Sequence, residues 1–261
     1  MAGAANDKDD GGASRENGDA LKALNRFCEA EDKKTLWADL LLYAKSLDAD
    51  LLSYRHRVPT TAASEPLILY ADGFPDEWVA AYKSKNYDAI DPLAQLYSYR
   101  VRPARWRDVE NLRVLDARQT EFMDDLRKWL PGDGWGIPAF GPNGQSGYVG
   151  IGRRTRGVED WDILTLNRIQ WVVQNFHLRW CELHLLHSPT DFSLTPREVA
   201  VLENIALGFS DALICGVVGA GLNSVQQSVN SLMKKMGVTD RPSAIMRGVA
   251  AGIIDPKYAP Q

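Results

Sequence analysis

Apolar and polar positions divide the chain into two differently patterned stretches behind a polar leader. Residues 1–20 (MAGAANDKDDGGASRENGDA) mix Gly, Ala and charge, with no large apolar side chain beyond Met1. Burial cannot repay the entropy of ordering them, so a disordered tail is expected. From Leu21 to Leu186 helical and strand patterns alternate. Lys34 to Lys45 (KTLWADLLLYAK) has the spacing of an amphipathic helix, and LLSYRHR and PLILYAD read as strands. GWGIPAFGPNGQSGYVGIG holds two strand-like runs around Asn143-Gly144, a favoured hairpin-turn dipeptide. A long helix is expected from Asp160 to Leu186, with Trp161, Leu164, Ile169, Val172, Val173, Phe176 and Leu183 near one face. These elements predict a domain over residues 21–187 built as an antiparallel sheet sandwiched by helices.

The segment HSPTDFSL has the Ser, Pro and Asp of a linker, and a second domain is expected over 188–261. Thr195 has the character of a helix N-cap, with Pro196 at the first helical position and Glu198 as capping-box partner. That helix carries Val199, Leu202, Ile205 and Ala206 and stops near Gly208. Ser210 can cap a short second helix (DALICGVV), and Gly219-Ala-Gly221 forces a tight turn. A third helix, from Asn223 to Met236, buries Val225, Val229, Leu232 and Met236, and Gly237 ends it. Short helix, glycine turn and longer helix form the helix-turn-helix arrangement, in which the second helix enters the major groove. The fold class expected is therefore α+β: an α-β-α amino-terminal domain and an all-α, four-helix carboxy-terminal one.

Chemistry on the third helix agrees with that arrangement. Its outer face presents Asn223, Ser224, Gln226, Gln227 and Asn230, with Lys234 and Lys235 further along. Gln and Asn can bind adenine bidentately, and Ser, Lys and helix amino termini hold phosphates. Charge tempers the picture. The whole chain carries a formal −4. From 193 to 261, six bases (Arg197, Lys234, Lys235, Arg241, Arg247, Lys257) stand against five acids (Glu198, Glu203, Asp211, Asp240, Asp255), a balance of +1. Phosphate attraction per protomer is weak, and a dimer doubles the contacts.

Other classes are excluded on composition and spacing. No apolar run approaches the roughly 18 to 20 residues of a membrane span, and the amino terminus is not basic then apolar. Neither membrane contact nor export is expected. Cys28, Cys181 and Cys215 are odd in number, far apart and in no metal-ligand spacing, as in a reducing cytoplasm. His177, His184 and His187 match no metal motif, GPNGQSG lacks the strand-then-helix context of a phosphate loop, and no catalytic set is present. The chain is expected to be no enzyme, with no metal and no cofactor.

The second domain, from SLTPREVAVL to GVAAGII, resembles the carboxy-terminal domain of LuxR-type regulators. The resemblance is carried by Thr195 to Glu198, Leu202, Gly208, Ile214, Val225 and Lys235 to Val238. The first domain is similar to the acyl-homoserine-lactone-binding domain of the same family, through Trp78, Tyr82, Asp91, Pro92 and Trp106 and through Gly134 ahead of Pro138. The resemblance implies a ligand-responsive, dimeric transcription regulator that binds DNA and a small-molecule autoinducer, an acyl-homoserine lactone or a relative. It implies a ligand site at Trp78, Tyr82, Asp91, Trp106, Phe74, Leu93 and Gly150. There the Trp78 indole donates to a lactone carbonyl, Asp91 accepts an amide N–H, and rings wall the site. The departures are as specific. Phe74 stands where the family usually places a tyrosine and Gly150 where a hydroxyl is often found, so two donors are missing. Glycines at 150 and 152 make room for ligand bulk or for close packing of a helix. Asp211-Ala212-Leu213 and Gln226-Gln227 replace the charged residues of many relatives. The alternative reading is an antagonist that heterodimerises with another LuxR-type regulator without binding DNA itself.

Overall fold

The computed structural model describes residues 10–57, 68–97, 100–187 and 192–255. The chain divides into two units, a larger one ending at Leu183 and a smaller one from His184.

The larger unit starts earlier than expected. Helix α1 spans Asp10–Glu29, inside and beyond the segment expected to be a disordered tail; residues 1–9 of that segment lie outside the described ones. Ala20, Ala23 and Phe27 are buried, and Glu16 pairs with Arg168, so tertiary burial outweighs the weak helix propensity of its glycines. Helix α2 (Lys33–Ser46) is capped by Asp32, whose carboxylate accepts the Thr35 N–H at 2.8 Å. Strands β1 (Leu51–Arg57) and β2 (Ile68–Asp72) pair antiparallel. Pro66 and Leu67, expected in the second strand, lie outside the described residues. Helices α3 (Asp76–Ser84) and α4 (Pro92–Tyr97), strand β3 (Ala104–Arg105), and helices α5 (Val109–Leu112) and α6 (Ala117–Trp129) follow. Strands β4 (Asp133–Phe140) and β5 (Ser146–Arg153) form the expected hairpin. Its loop is a three-residue helical turn, Pro142–Gly144, with Gly144 at φ 74°, rather than a two-residue turn. Helix α7 (Ile163–His187) closes the unit. Leu164, expected on its buried face, is exposed, and Trp180 and Cys181 are buried in addition.

The five strands run in the order β2-β1-β5-β4-β3. Alternation sends Leu52 and Tyr54 of β1, Ile137 and Ala139 of β4, and Val149 and Ile151 of β5 into one core with α1, α2 and α7. Leu51 and Tyr148 enter a second, ring-rich core with α3 to α6. Helices thus cover both faces of the sheet.

The smaller unit is helical: α8 (Pro196–Ala206), α9 (Asp211–Val218), α10 (Leu222–Met236) and α11 (Arg241–Ala250) around Val201, Leu202, Ile205, Ile214, Val225, Val229, Leu232 and Met236. The capping box at Thr195 and Glu198 forms in both directions, and Ser210 caps α9. Gly219 and Gly237 end α9 and α10 in the left-handed region, both at φ 63°, where a side chain is strained. Across the Gly219–Gly221 turn the chain bends by 102° between α9 and α10, within the range of a helix-turn-helix.

Candidate ligand site and nucleic-acid interface

All seven residues expected to bind ligand fall in or against the ring-rich core. Trp78, Leu93 and Trp106 are buried in it, Phe74 and Tyr82 pack on it half-buried, and Asp91 is buried beside Tyr82. Helix α3 presents Trp78 and Tyr82 one turn apart, ring centres 5.7 Å from each other. Phe122 of α6 lies 5.5 Å from Trp78 and 5.0 Å from Tyr87, edge to face. Tyr87, Phe122, Tyr97 and Tyr148 belong to this layer too and were not anticipated.

The floor of the layer is glycine. Gly134 pairs with Gly152 and Gly136 with Gly150 across β4 and β5. A Cβ on Gly134, Gly150 or Gly152 would come within 2.7, 3.3 and 2.9 Å of the Trp106 indole, and one on Gly136 within 2.0 Å of the Tyr97 ring. The room anticipated at 150 and 152 is therefore filled by Trp106, which needs bare backbone beneath it. Tyr97 is fixed in turn by donating to the Ala104 carbonyl at 2.7 Å. Position 150 has a second neighbour: its absent Cβ would lie 2.6 Å from the Ser53 hydroxyl oxygen, offered from β1. A hydroxyl thus stands beside the place where the family puts one, on a different strand.

Asp91 is anchored by the protein itself. One carboxylate oxygen accepts the Leu93 and Ala94 N–H groups at 2.8 and 3.2 Å; the other accepts the Tyr82 hydroxyl at 2.9 Å and lies 3.2 Å from the Arg55 guanidinium. Burial raises its pKa above the ordinary value, opposed by Arg55 and the two N–H groups. Arg55 also pairs with Asp88 at 3.0 Å and lies 5.7 Å from the Tyr82 ring centre. Arg55 and Ser53 are the residues sequence reading missed. Strand alternation in LLSYRHR places Leu51, Ser53 and Arg55 on one face, and that was the available signal.

On the recognition helix α10, Asn223, Gln226, Gln227, Asn230 and Lys234 are exposed. Lys235, expected at DNA, instead donates to Glu198 at 2.7 Å and to the Ser193 carbonyl at 3.0 Å. Although burial opposes it, the Lys235 and Ser231 hydrogen bonds and the Thr195 N–H lower Glu198 to about 2. Arg241 pairs with Asp211, and Arg247 donates to the Met236 carbonyl at 2.7 Å. Arg197, not among the expected residues, reaches from α8 to the Ser224 hydroxyl at 2.6 Å, placing a guanidinium at the uncapped start of α10. Lys234 has no protein partner among the described residues. Lys257 lies outside them. Of the three histidines that match no metal motif, His177 is buried, and the side chains of His184 and His187 lie outside the described residues.

Residues 32–180 match the family model described as autoinducer binding domain, and 192–247 the model of bacterial regulatory proteins, luxR family. The chain belongs to the LuxR family of autoinducer-binding transcriptional regulators and is not an enzyme. Among curated relatives, the transcriptional activator AhyR of Aeromonas hydrophila is 23% identical over 240 residues, covering 90% of this chain and 92% of its own. The activator VanR of Vibrio anguillarum is 26% identical over 200 residues, covering 76% and 81%. Among solved structures, Escherichia coli SdiA superposes with a TM-score of 0.72 at 20% identity, covering 90% of this chain and 97% of that one. A structure of SdiA in complex with octanoyl-rac-glycerol gives the same score at 21% identity.

Proposed function

We propose that the chain is a dimeric, cytoplasmic, ligand-responsive regulator that buries a small acyl molecule, an acyl-homoserine lactone or a relative, in the ring-rich layer of its first unit and reads DNA with α10. The observation that carries this reading is the convergence of Trp78, Tyr82, Asp91 and Trp106, separated by up to 28 positions in sequence, on one apolar layer with few polar groups. SdiA, solved with an acyl glycerol, supplies the analogy for the ligand class. A ligand bound only by the native state stabilises that state, which couples occupancy to the amount of folded regulator.

For DNA, Gln226, Gln227 and Asn230 offer amides to base edges. Arg197, Ser224 and the free N–H groups at the start of α10 form a phosphate clamp, with Lys234 as a second backbone contact. Dimerisation is supported by α7. Leu164, Trp171 and Leu178 recur every seven residues and are 59, 49 and 39% exposed, an apolar stripe along one helix face.

One observation favours the antagonist reading. The outer face of α9 carries exposed Leu213 and Val217 with Gly216, where the first helix of the motif crosses the DNA backbone. Fluorescence anisotropy of the purified homodimer on operator fragments against salt separates the two. A regulator binds specifically, and Lys234→Ala flattens its salt dependence by about one log unit per log unit of salt for each contacted phosphate lost. Absence of specific binding at low salt, with or without acyl ligand, leaves the antagonist.

A further inference from the structure

The first unit has a cleft on the other face of the sheet from the ring-rich layer. Alternation along β1 sends Leu51 into that layer and Leu52 to the opposite side, where Leu52 lines a cavity of about 260 Å³. Leu41, Ala44 and Ala49 complete its apolar wall. The room comes from the short side chains: Ala44 near the end of α2 and Ala49 ahead of β1 leave unfilled the space that larger residues would occupy. The charged residues lining the cleft are Lys45, Asp50 and Asp72.

The backbone carrying these charges is firmly held. Asp72 stands in register with Leu52, and Gly73, at φ 81°, lies so close to Asp50 that a Cβ on it would come within 1.7 Å of the Asp50 carbonyl oxygen. Asp50 donates its N–H to the Gly152 carbonyl at 3.1 Å, and one of its carboxylate oxygens accepts the Arg154 N–H at 2.7 Å. Buried Arg153 fixes the turn between Lys45 and Asp50 by donating to the Leu47 and Asp48 carbonyls at 3.1 and 3.0 Å. Charges nearby are paired, Asp48 with Arg156 and Asp160 with Arg153. The Lys45 ammonium and the Asp72 carboxylate are not, either with each other or with another side chain among the described residues. An exposed charge left to water costs the fold little, so a lone one indicates nothing. Opposite, unspent charges on a fixed frame around one apolar cleft are a different matter, because that is the pattern of a preorganised ligand site.

We infer that this cleft binds a small zwitterion with an apolar tail, the chemistry of an aliphatic α-amino acid, with its carboxylate on Lys45, its ammonium on Asp72 beside Asp50, and its side chain against Leu41 and Leu52. Size agrees. At the roughly 30 Å³ that a water takes up in the liquid, 260 Å³ holds about nine non-hydrogen atoms, as many as leucine has. Charge agrees as well: a simple anion meets two carboxylates and a simple cation meets Lys45, whereas a ligand carrying both charges satisfies the whole rim. The cleft lies across the sheet from the acyl-ligand layer, so its occupant stabilises the native unit on its own account.

Calorimetric titration of the full chain with L-leucine, 3-methylbutylamine and 4-methylpentanoate tests the assignment, the last two being leucine without its carboxylate and leucine without its amine. Leucine is expected to bind saturably and at least about tenfold more tightly than either analogue. Lys45→Met and Asp72→Asn, both at exposed positions, are each expected to weaken leucine about tenfold. Either analogue binding within tenfold of leucine means that one charge suffices, which overturns the inference. Leucine affinity unchanged in either variant seats the amino acid elsewhere and overturns it too. Neither heat nor a shift in thermal midpoint up to about 10 mM leucine overturns it outright, and leaves the acyl-ligand reading of the other face standing.

Discussion

His177 is held where protonation costs the fold. Its Nδ1 lies 2.7 Å from the Tyr54 hydroxyl and its Nε2 3.5 Å from the Cys181 sulfur, with the His56 ring centre 5.6 Å away. Burial pushes its pKa from 6.5 down to about 4. The unfolded chain therefore takes a proton near pH 6.5 that the folded chain refuses until about pH 4. Stability contributed by the neutral ring is complete above 6.5 and is lost as pH falls through that window, by up to about 3 kcal/mol. The thermal midpoint of the wild type is expected to drop between pH 7 and 4.5, and His177→Gln, which keeps a partner for Tyr54, to drop less. Identical slopes for the two proteins would show that other groups set the acid sensitivity.

Among the elements, α8 and α10 are joined by a pair that the sequence suggested only in half. The capping box at Thr195 and Glu198 was legible, because Ser/Thr-x-x-Glu ahead of an apolar run specifies both partners locally. That Glu198 also holds Lys235, a residue whose spacing pointed to phosphate, depends on α10 crossing α8 and could not be read from either helix alone. Glu198→Gln is expected to cost the helical unit about 1 to 3 kcal/mol at pH 7, measured by chemical denaturation. Because Glu198 is lowered from 4.5 to about 2, the wild-type advantage persists above pH 4.5 and disappears as pH falls toward 2. An advantage unchanged at pH 2.5 would assign the effect to packing. The same distinction runs through the first unit. Helix α2, strand β1 and the β4–β5 hairpin follow from periodicity and turn residues. Helix α1 does not, since its glycines argue against helix and it is stabilised by tertiary contacts, Phe27 on Phe176 and the pairs Glu16–Arg168 and Arg26–Asp39. Trp78, Tyr82, Asp91 and Trp106 were legible through family spacing. Arg55 was not, because its partners stand 33 and 36 positions away.

For the whole molecule, the proposed dimer is tested at the exposed stripe of Leu164, Trp171 and Leu178. Trp171→Glu places a charge at its centre and is expected to raise the dimer dissociation constant at least tenfold, read by sedimentation equilibrium. A dimer insensitive to this change and to Leu178→Glu would place the interface elsewhere. Loss of the dimer halves the phosphate contacts and should abolish operator binding more completely than any single change on α10. The glycine floor bears on how the chain can change over generations. Installing serine at position 150 puts its Cβ 2.6 Å from the Ser53 oxygen and 3.3 Å from Trp106, so the Ser53 hydroxyl must swing aside and the indole give by a few tenths of an ångström before the common family residue fits. The two neighbouring strands share room for one hydroxyl, so Gly150→Ser is expected to cost less in a Ser53→Ala background than alone, a coupling between the two positions set by a single interatomic distance.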